Sequence, residues 1–217
     1  MKLNISFSSF KKNHKSKKNQ LVYKVKDCKD YKYVENIFNF LLVEKNSFIF
    51  ESVEKGTIRG RYTIIGLKPD KIWDINKSII TEKFEGKKKF IREKPLNFLN
   101  NLIHRFNIKI PTNVPKMAAM LVGYFSYDVI RYIENIPDKC TDDLKIPDVR
   151  ITRPQNLVIY DNLKKKIYFI ENIYAETKIK NYFEKYQAIQ RNLETYDDYS
   201  RIKLPIKFNY QKNKNKI

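Results

Sequence analysis

The chain has 217 residues, 42% hydrophobic and 31% charged, with 15 tyrosines, 14 phenylalanines and a formal net charge of +20. That length suits one large domain or two small ones, and a chain of this size buries roughly 70% of the surface its unfolded form exposes, which excludes wholesale disorder. No apolar run reaches the ~18 residues of a membrane-spanning helix, the first twenty residues lack the apolar stretch of a secretory signal, and two cysteines, Cys28 and Cys140, make no disulfide framework, so a cytoplasmic protein with no membrane partner is expected.

Residues 1–20 are polar and basic without periodicity and are expected to be a flexible basic tail. Leu21–Val25 is a short strand. From Tyr31, the apolar residues Val34, Ile37, Phe38, Leu41 and Leu42 recur at helical spacing to about Glu44, with Asp30 as the cap. The segments "SFIFESV" and "RYTIIGL" read as strands. "KIWDIN" and "SIITEKF" form a hairpin across Asn76 and Lys77, with "KKFIRE" following the turn at Gly86. Pro95 opens a second helix carrying Leu96, Leu99, Ile103 and Phe106 on one side. After the loop "PTNVP", the run "MAAMLVGYFSY" suits a buried strand, and "DVIRYIE" a short helix. An irregular stretch rich in acids leads to two strands, "VRITRPQNLVIYDN" and "KKIYFIENIY", around a turn near Asp161–Lys165. "TKIKNYFEKYQAIQRNLE" is a third helix, and the end is polar and basic. Strands are mostly consecutive with no regular βαβ repeat, which predicts an α+β fold of largely antiparallel β-sheet layers with a few flanking helices.

Many chemistries are excluded. His14 and His104 are far apart, and no Cys and His cluster has zinc spacing. No G-x-S-x-G elbow occurs, and the glycines spell neither phosphate-binding nor dinucleotide-binding motifs. Asp138, Asp142, Asp143 and Asp148 match no cation-binding loop and are read as solvated acids. No catalytic residue and no metal ligand is assigned. The positive charge befits a basic nucleic-acid-binding module, but the excess is nearly all lysine, in a chain also rich in Asn, Ile, Tyr and Phe, whose codons are rich in A and T. Dense clusters occur only at 11–18, 87–89, 164–166 and the C-terminus, whereas phosphate recognition favours arginine forks on one continuous face. A lysine-coated surface is the preferred reading, and nucleic acid is not the expected partner.

The stretch "FIFESVEKGTIRGRYTIIG", Phe48–Gly66, stands out because it holds three of the five glycines, Gly56, Gly60 and Gly66. Alternation puts Phe48, Phe50 and Ser52 on one strand face and Ile49, Glu51 and Val53 on the other, predicting a strand covered on both sides. Ser52 then sits in line with two phenyl rings. It is either the hydroxyl of an aromatic-walled ligand pocket or a strand-end serine bonded to a neighbouring carbonyl. The glycines mark a tight turn or a close backbone approach.

"ESVEKGTIRGRYTIIGLKPDKIWD" resembles the N-terminal region of anthranilate synthase component I, whose members carry E-S-V-E…G-R-Y-S-x-I-G-x-x-P. Two further segments are similar in the same order: "LVGYFSYDVIRYIENIP" to G-G-x-V-G-Y-x-x-Y-D-x-x-R-x-x-E-x-x-P, and "DDLKIPDVRITRPQNLVIYDN" to D-D-L-x-x-P-D followed by a strand ending in Asp-Asn or Asp-His. The matches run from about Leu21 to Ile173. The sequence departs from the pattern at Ala118 and Ala119, where paired glycines are usual, at Ser126 for glycine, and at Thr63 for serine.

The resemblance implies an N-terminal component I domain over residues 21–175. Residues 176–217 would be a C-terminal helix and polar tail leading toward a catalytic half absent from this chain. In the family the E-S pair belongs to an allosteric pocket for L-tryptophan as feedback inhibitor, which assigns Ser52 and Glu51 to that pocket. Arg59, Arg61 and Tyr62 are read as structural or interfacial. The family converts chorismate to anthranilate with Mg2+ and ammonia from a glutamine amidotransferase subunit. The chorismate-binding half would act in cis or in trans, so this chain alone is expected to bind no cofactor and to be inactive. The related component of aminodeoxychorismate synthase, in the folate pathway, is the close alternative.

Overall fold

A computed structural model describes residues 2–42, 44–51, 60–106, 108–137 and 141–198. Its elements are α1 (Phe7–Lys15), β1 (Gln20–Asp27), α2 (Tyr31–Leu41), β2 (Phe48–Glu51), β3 (Tyr62–Asn76), β4 (Ile79–Phe84), β5 (Lys87–Ile91), α3 (Pro95–Arg105), β6 (Val122–Phe125), β7 (Val149–Asp161), β8 (Lys166–Ile173) and α4 (Tyr182–Asp198). The expected α+β class holds: all eight strands join one curled sheet, and every pairing is antiparallel.

Two long strands, β3 and β7, form the spine and change neighbours halfway. Near Tyr62–Gly66, β3 lies between β2 and β7, and near Lys71–Asn76 between β4 and β7. In turn β7 pairs with β6 through Val149–Thr152 and with β8 through Asn156–Asp161. Both changes occur where Pro69 stands opposite Pro154, beside a register shift between Pro69 and Lys71. Neither proline can donate to a ladder, so the sheet has a joint there. Two segments expected as separate strands, "RYTIIGL" and "KIWDIN", are therefore one strand with a bulge.

Side-chain alternation distributes the core over the two faces. Ile65, Leu67, Val158, Tyr160, Ile167 and Phe169 face α1, α2 and α4. Ile64, Leu157, Ile159, Tyr168 and Ile170 face the opposite way, where Val114 and Ala118 cover them. Beyond the joint, Trp73, Ile75, Ile80, Val149 and Ile151 pack against Phe98 and Leu99 of α3. Helices α1, α2 and α4 begin where a side chain satisfies a first amide. Asp30 accepts from the Lys32 amide at 2.9 Å, as expected, and Asn181 accepts from Phe183 and Glu184. The Asn181 cap explains why the last helix starts at Tyr182 and not at Thr177.

Of the expected flexible tail 1–20, the described residues 2–20 instead fold onto the sheet. Asn4 bonds along the outer edge of β1: its amide and side-chain nitrogen donate to the carbonyls of Tyr23 and Leu21, and its Oδ1 accepts from the Tyr23 amide at 2.7 Å. Helix α1 inserts Phe10, fully buried, among Tyr182 and Tyr186 of α4. His14 is not in a tail either: it is buried and shares a 3.0 Å hydrogen bond with the Tyr182 hydroxyl. The run "MAAMLVGYFSY" is also not a buried strand. It starts as a single 3-10 turn, Lys116–Ala118, and only Val122–Phe125 is strand, with Phe125 59% exposed. Strand β6 pairs with β7 alone, so its other side has no sheet neighbour among the described residues.

The lysine coat is partly spent in ion pairs. Lys24, Lys26, Lys71, Lys83, Lys166 and Lys185 each meet a carboxylate at 2.7–2.9 Å. No described helix is long and apolar enough to cross a membrane.

Candidate functional site

The candidate site lies at the start of the β2–β3 ladder, where Phe48, Ile49, Phe50 and Glu51 oppose Gly66, Ile65, Ile64 and Thr63. Phe48 and Phe50 share one face, their rings 4.9 Å apart and inclined at 44°. Gly66 permits this arrangement. A β-carbon built on it would sit 2.0 Å from the Phe48 ring, far inside contact distance. Gly60 takes φ +83°, a left-handed turn conformation open to glycine without strain. Two of the three glycines thus answer to a close approach and a turn, while Gly56 lies outside the described residues.

Ile49 and Glu51 point to the other face. Ile49 packs into the core beneath α2, and Glu51 accepts a short hydrogen bond from the Tyr31 hydroxyl at the start of that helix. Burial and then the Glu51 carboxylate push the Tyr31 hydroxyl up to about 12. It therefore stays a donor throughout the physiological range. Glu51 and the Phe48–Phe50 pair occupy opposite faces, as alternation predicts. Ser52 lies outside the described residues, as does Arg59.

The expectation that both faces of this strand are covered does not hold for its far end: Phe50 is 47% exposed and Glu51 is exposed. Strand β2 has four residues and pairs only with β3, so its other edge has no sheet neighbour among the described residues. The sheet edge thus presents an exposed phenyl ring, with a carboxylate anchored on the reverse side.

Arg61 and Tyr62 brace this edge. The Arg61 guanidinium forks onto Asp161 at 3.1 and 2.8 Å and lies 4.7 Å from the Tyr62 ring centre. Asp161 is 1% exposed and also accepts from the amides of Leu163 and Lys164. Burial alone would raise its pKa, but the Arg61 fork and these amides outweigh it and hold the carboxyl below the usual range. The pair ties the first residues of β3 to the β7–β8 turn. Sequence reasoning missed Tyr31 and Asp161 as partners. The pairs Tyr31–Glu51 and Arg61–Asp161 are 20 and 100 residues apart, and only the folded sheet joins them.

Of the acid run, Asp148 is a structural hub, accepting from the Lys77 amide and the Tyr132 hydroxyl at 2.7 Å each. Asp142 accepts from the Lys145 amide, and Asp138 lies outside the described residues. No three His, Cys, Asp or Glu side chains gather as a metal site among the described residues.

The described residues thus form an antiparallel α+β sheet with an exposed aromatic ring at its β2 edge. The model of the chorismate binding enzyme family matches residues 45–215, and the chain belongs to that family. It is 30% identical to anthranilate synthase component 1 of Cereibacter sphaeroides over 203 residues, which is 90% of this chain and 40% of the relative. It is 33% identical to the Acetivibrio thermocellus component 1 over 135 residues, 61% of this chain and 27% of the relative. The crystal structure of anthranilate synthase component I from Streptococcus pneumoniae shares its fold, with a TM-score of 0.52 and 22% identity over 74% of this chain and 33% of that one. The chain therefore spans less than half the length of each.

Proposed function

We propose that this chain is the N-terminal, tryptophan-sensing portion of anthranilate synthase component I, a cytoplasmic lyase of tryptophan biosynthesis. In this reading Ser52 and Glu51 belong to an allosteric pocket for L-tryptophan. Chorismate and Mg2+ are handled by a C-terminal half, supplied in cis or in trans, and a glutamine amidotransferase subunit supplies the ammonia that yields anthranilate. The observation that carries the reading is the alignment of 90% of this chain to 40% of a component 1 enzyme.

The geometry supports it chemically. An indole ring calls for an apolar surface such as the exposed side of Phe50, while Glu51 offers its carboxylate on the opposite strand face. A second support is the apolar surface around β6, where Phe125, Tyr127, Ile133, Leu144 and Ile146 are 59%, 90%, 69%, 73% and 51% exposed. So much exposed apolar side chain near one end of a sheet suits a surface covered by further protein.

The test is anthranilate fluorescence in the presence of chorismate, Mg2+ and ammonia. The chain alone is expected to give no turnover, and the chain combined with the remaining C-terminal length of the Cereibacter sphaeroides relative to give turnover. Anthranilate formed by the chain alone would overturn the reading.

A further inference from the structure

A second cleft, of about 740 Å3, opens at the other end of the sheet between the β4–β5 hairpin, α3 and the end of β8. Thr63, opposite Glu51, and Trp73, in the cleft wall, both lie on β3. At about 3.3 Å per residue the cleft is roughly 30 Å along that strand from the Glu51 edge. Its floor is apolar, made by the buried Trp73 and Phe98 with Leu102. The charges deepest in it are paired with one another, two cations with three carboxylates. Arg153 bonds Glu176 at 2.6 Å and forks onto Asp70, while Lys71 bonds Glu176 at 2.8 Å and lies 3.5 Å from Glu82.

The rim is different. Lys17, Lys89, Arg92 and Arg105 line the cleft, and none of these side chains makes a hydrogen bond or ion pair among the described residues. The one rim acid, Glu93, is occupied by the Asn101 amide at 2.6 Å. Two flat rings stand beside the cations: Phe90, 69% exposed, and Phe106. A further unsatisfied group belongs to the same wall. Tyr174 is 2% exposed with the Arg153 guanidinium 3.6 Å above its ring, and its hydroxyl has no partner. A buried hydroxyl left unpaired is unfavourable, and a bound polar group can satisfy it.

We propose that this cleft binds a phosphate monoester carrying a flat ring, a ligand of the nucleotide class. Two free guanidinium forks and two free ammonium groups match a dianion, which arginine grips through paired hydrogen bonds. The Phe90 and Phe106 rings supply stacking surface for a planar group. The inner charges are already paired and leave one net negative charge, which the four rim cations outweigh. This inference stands independently of the tryptophan reading.

The probe is adenosine 5′-monophosphate, titrated calorimetrically into the full chain at low salt, with adenosine and inorganic phosphate as separate arms. Expected are saturable binding of the monophosphate, at least tenfold weaker binding of phosphate, and no measurable binding of adenosine. The exposed double variant Arg92→Ala, Arg105→Ala is expected to lose tenfold or more in affinity with its melting temperature unchanged. The control variant Lys164→Ala, Lys165→Ala, on the distant β7–β8 turn, is expected to bind as the parent does. No binding at millimolar monophosphate, or equal affinity in the arginine variant, would overturn the proposal. So would an equal loss in the lysine control, which would mean diffuse charge attraction. Phosphate binding as tightly as the monophosphate would remove the ring from the assignment, and adenosine binding as tightly would remove the anion.

Discussion

Gly66 shows how one residue can be read from the sequence only in part. Its closeness to Gly56 and Gly60 signals a special backbone, but the reason, a Phe48 ring resting on its α-carbon, needs the strand pairing. Gly66→Ala is expected to destabilise the chain by about 1–3 kcal/mol, as overpacking does. Adding Phe48→Leu should recover part of the loss, and a denaturant midpoint series on the four proteins measures both. Asp161 yields a pH signature. Its folded pKa lies below the unfolded value, so its contribution is complete above about pH 4 and disappears as the pH falls through the folded value. Asp161→Asn is expected to cost about 1–3 kcal/mol near neutrality. That gap should close under acid, and a gap constant from pH 7 to pH 3 would contradict the role given to the Arg61 pair. The "YDN" motif drew attention to this strand end, whereas the Tyr31 contact with Glu51 left no mark in the sequence because hydroxyl partners have no spacing rule.

Elements whose hydrophobic period was strong were legible: α2, the β4–β5 hairpin and the β7–β8 hairpin fall where alternation and turn residues place them. Helix α1 was not legible, for a physical reason. It is nine residues long and carries only two aromatics, Phe7 and Phe10, among lysines and serines, so the apolar stripe that marks a helix barely exists. Tertiary contact with α4 supplies what the period lacks. Phe10→Ala is expected to cost about 3–5 kcal/mol, the range for a fully buried aromatic. A loss below 1 kcal/mol by thermal or urea unfolding would return this segment to the status of a tail. The joint at Pro69 and Pro154 was written in the sequence as two prolines inside strand-like runs. Only pairing shows that they oppose each other and let both spine strands change neighbours.

At the scale of the molecule, the class and antiparallel character of the sheet followed from strand order, and the family followed from three ordered motifs. Exposure did not: the apolar run through β6 looks like core in any window of sequence, yet Tyr124, Phe125 and Tyr127 face outward. A domain with that surface uncovered is expected to be prone to self-association. Phe125→Ser with Tyr127→Ser should raise its solubility while weakening its combination with the remaining length of component I, as read by gel filtration of mixtures. The central claim, that the β2 edge senses tryptophan, is tested most directly by feedback inhibition. The chain joined to the C-terminal length of the Cereibacter sphaeroides relative would be assayed for anthranilate formation against L-tryptophan, with Ser52 intact and as Ser52→Phe. The account predicts inhibition of the parent, and at least tenfold weaker inhibition of the variant with chorismate turnover nearly unchanged. Equal sensitivity of the two proteins to tryptophan, or a parent that tryptophan does not inhibit, would contradict it.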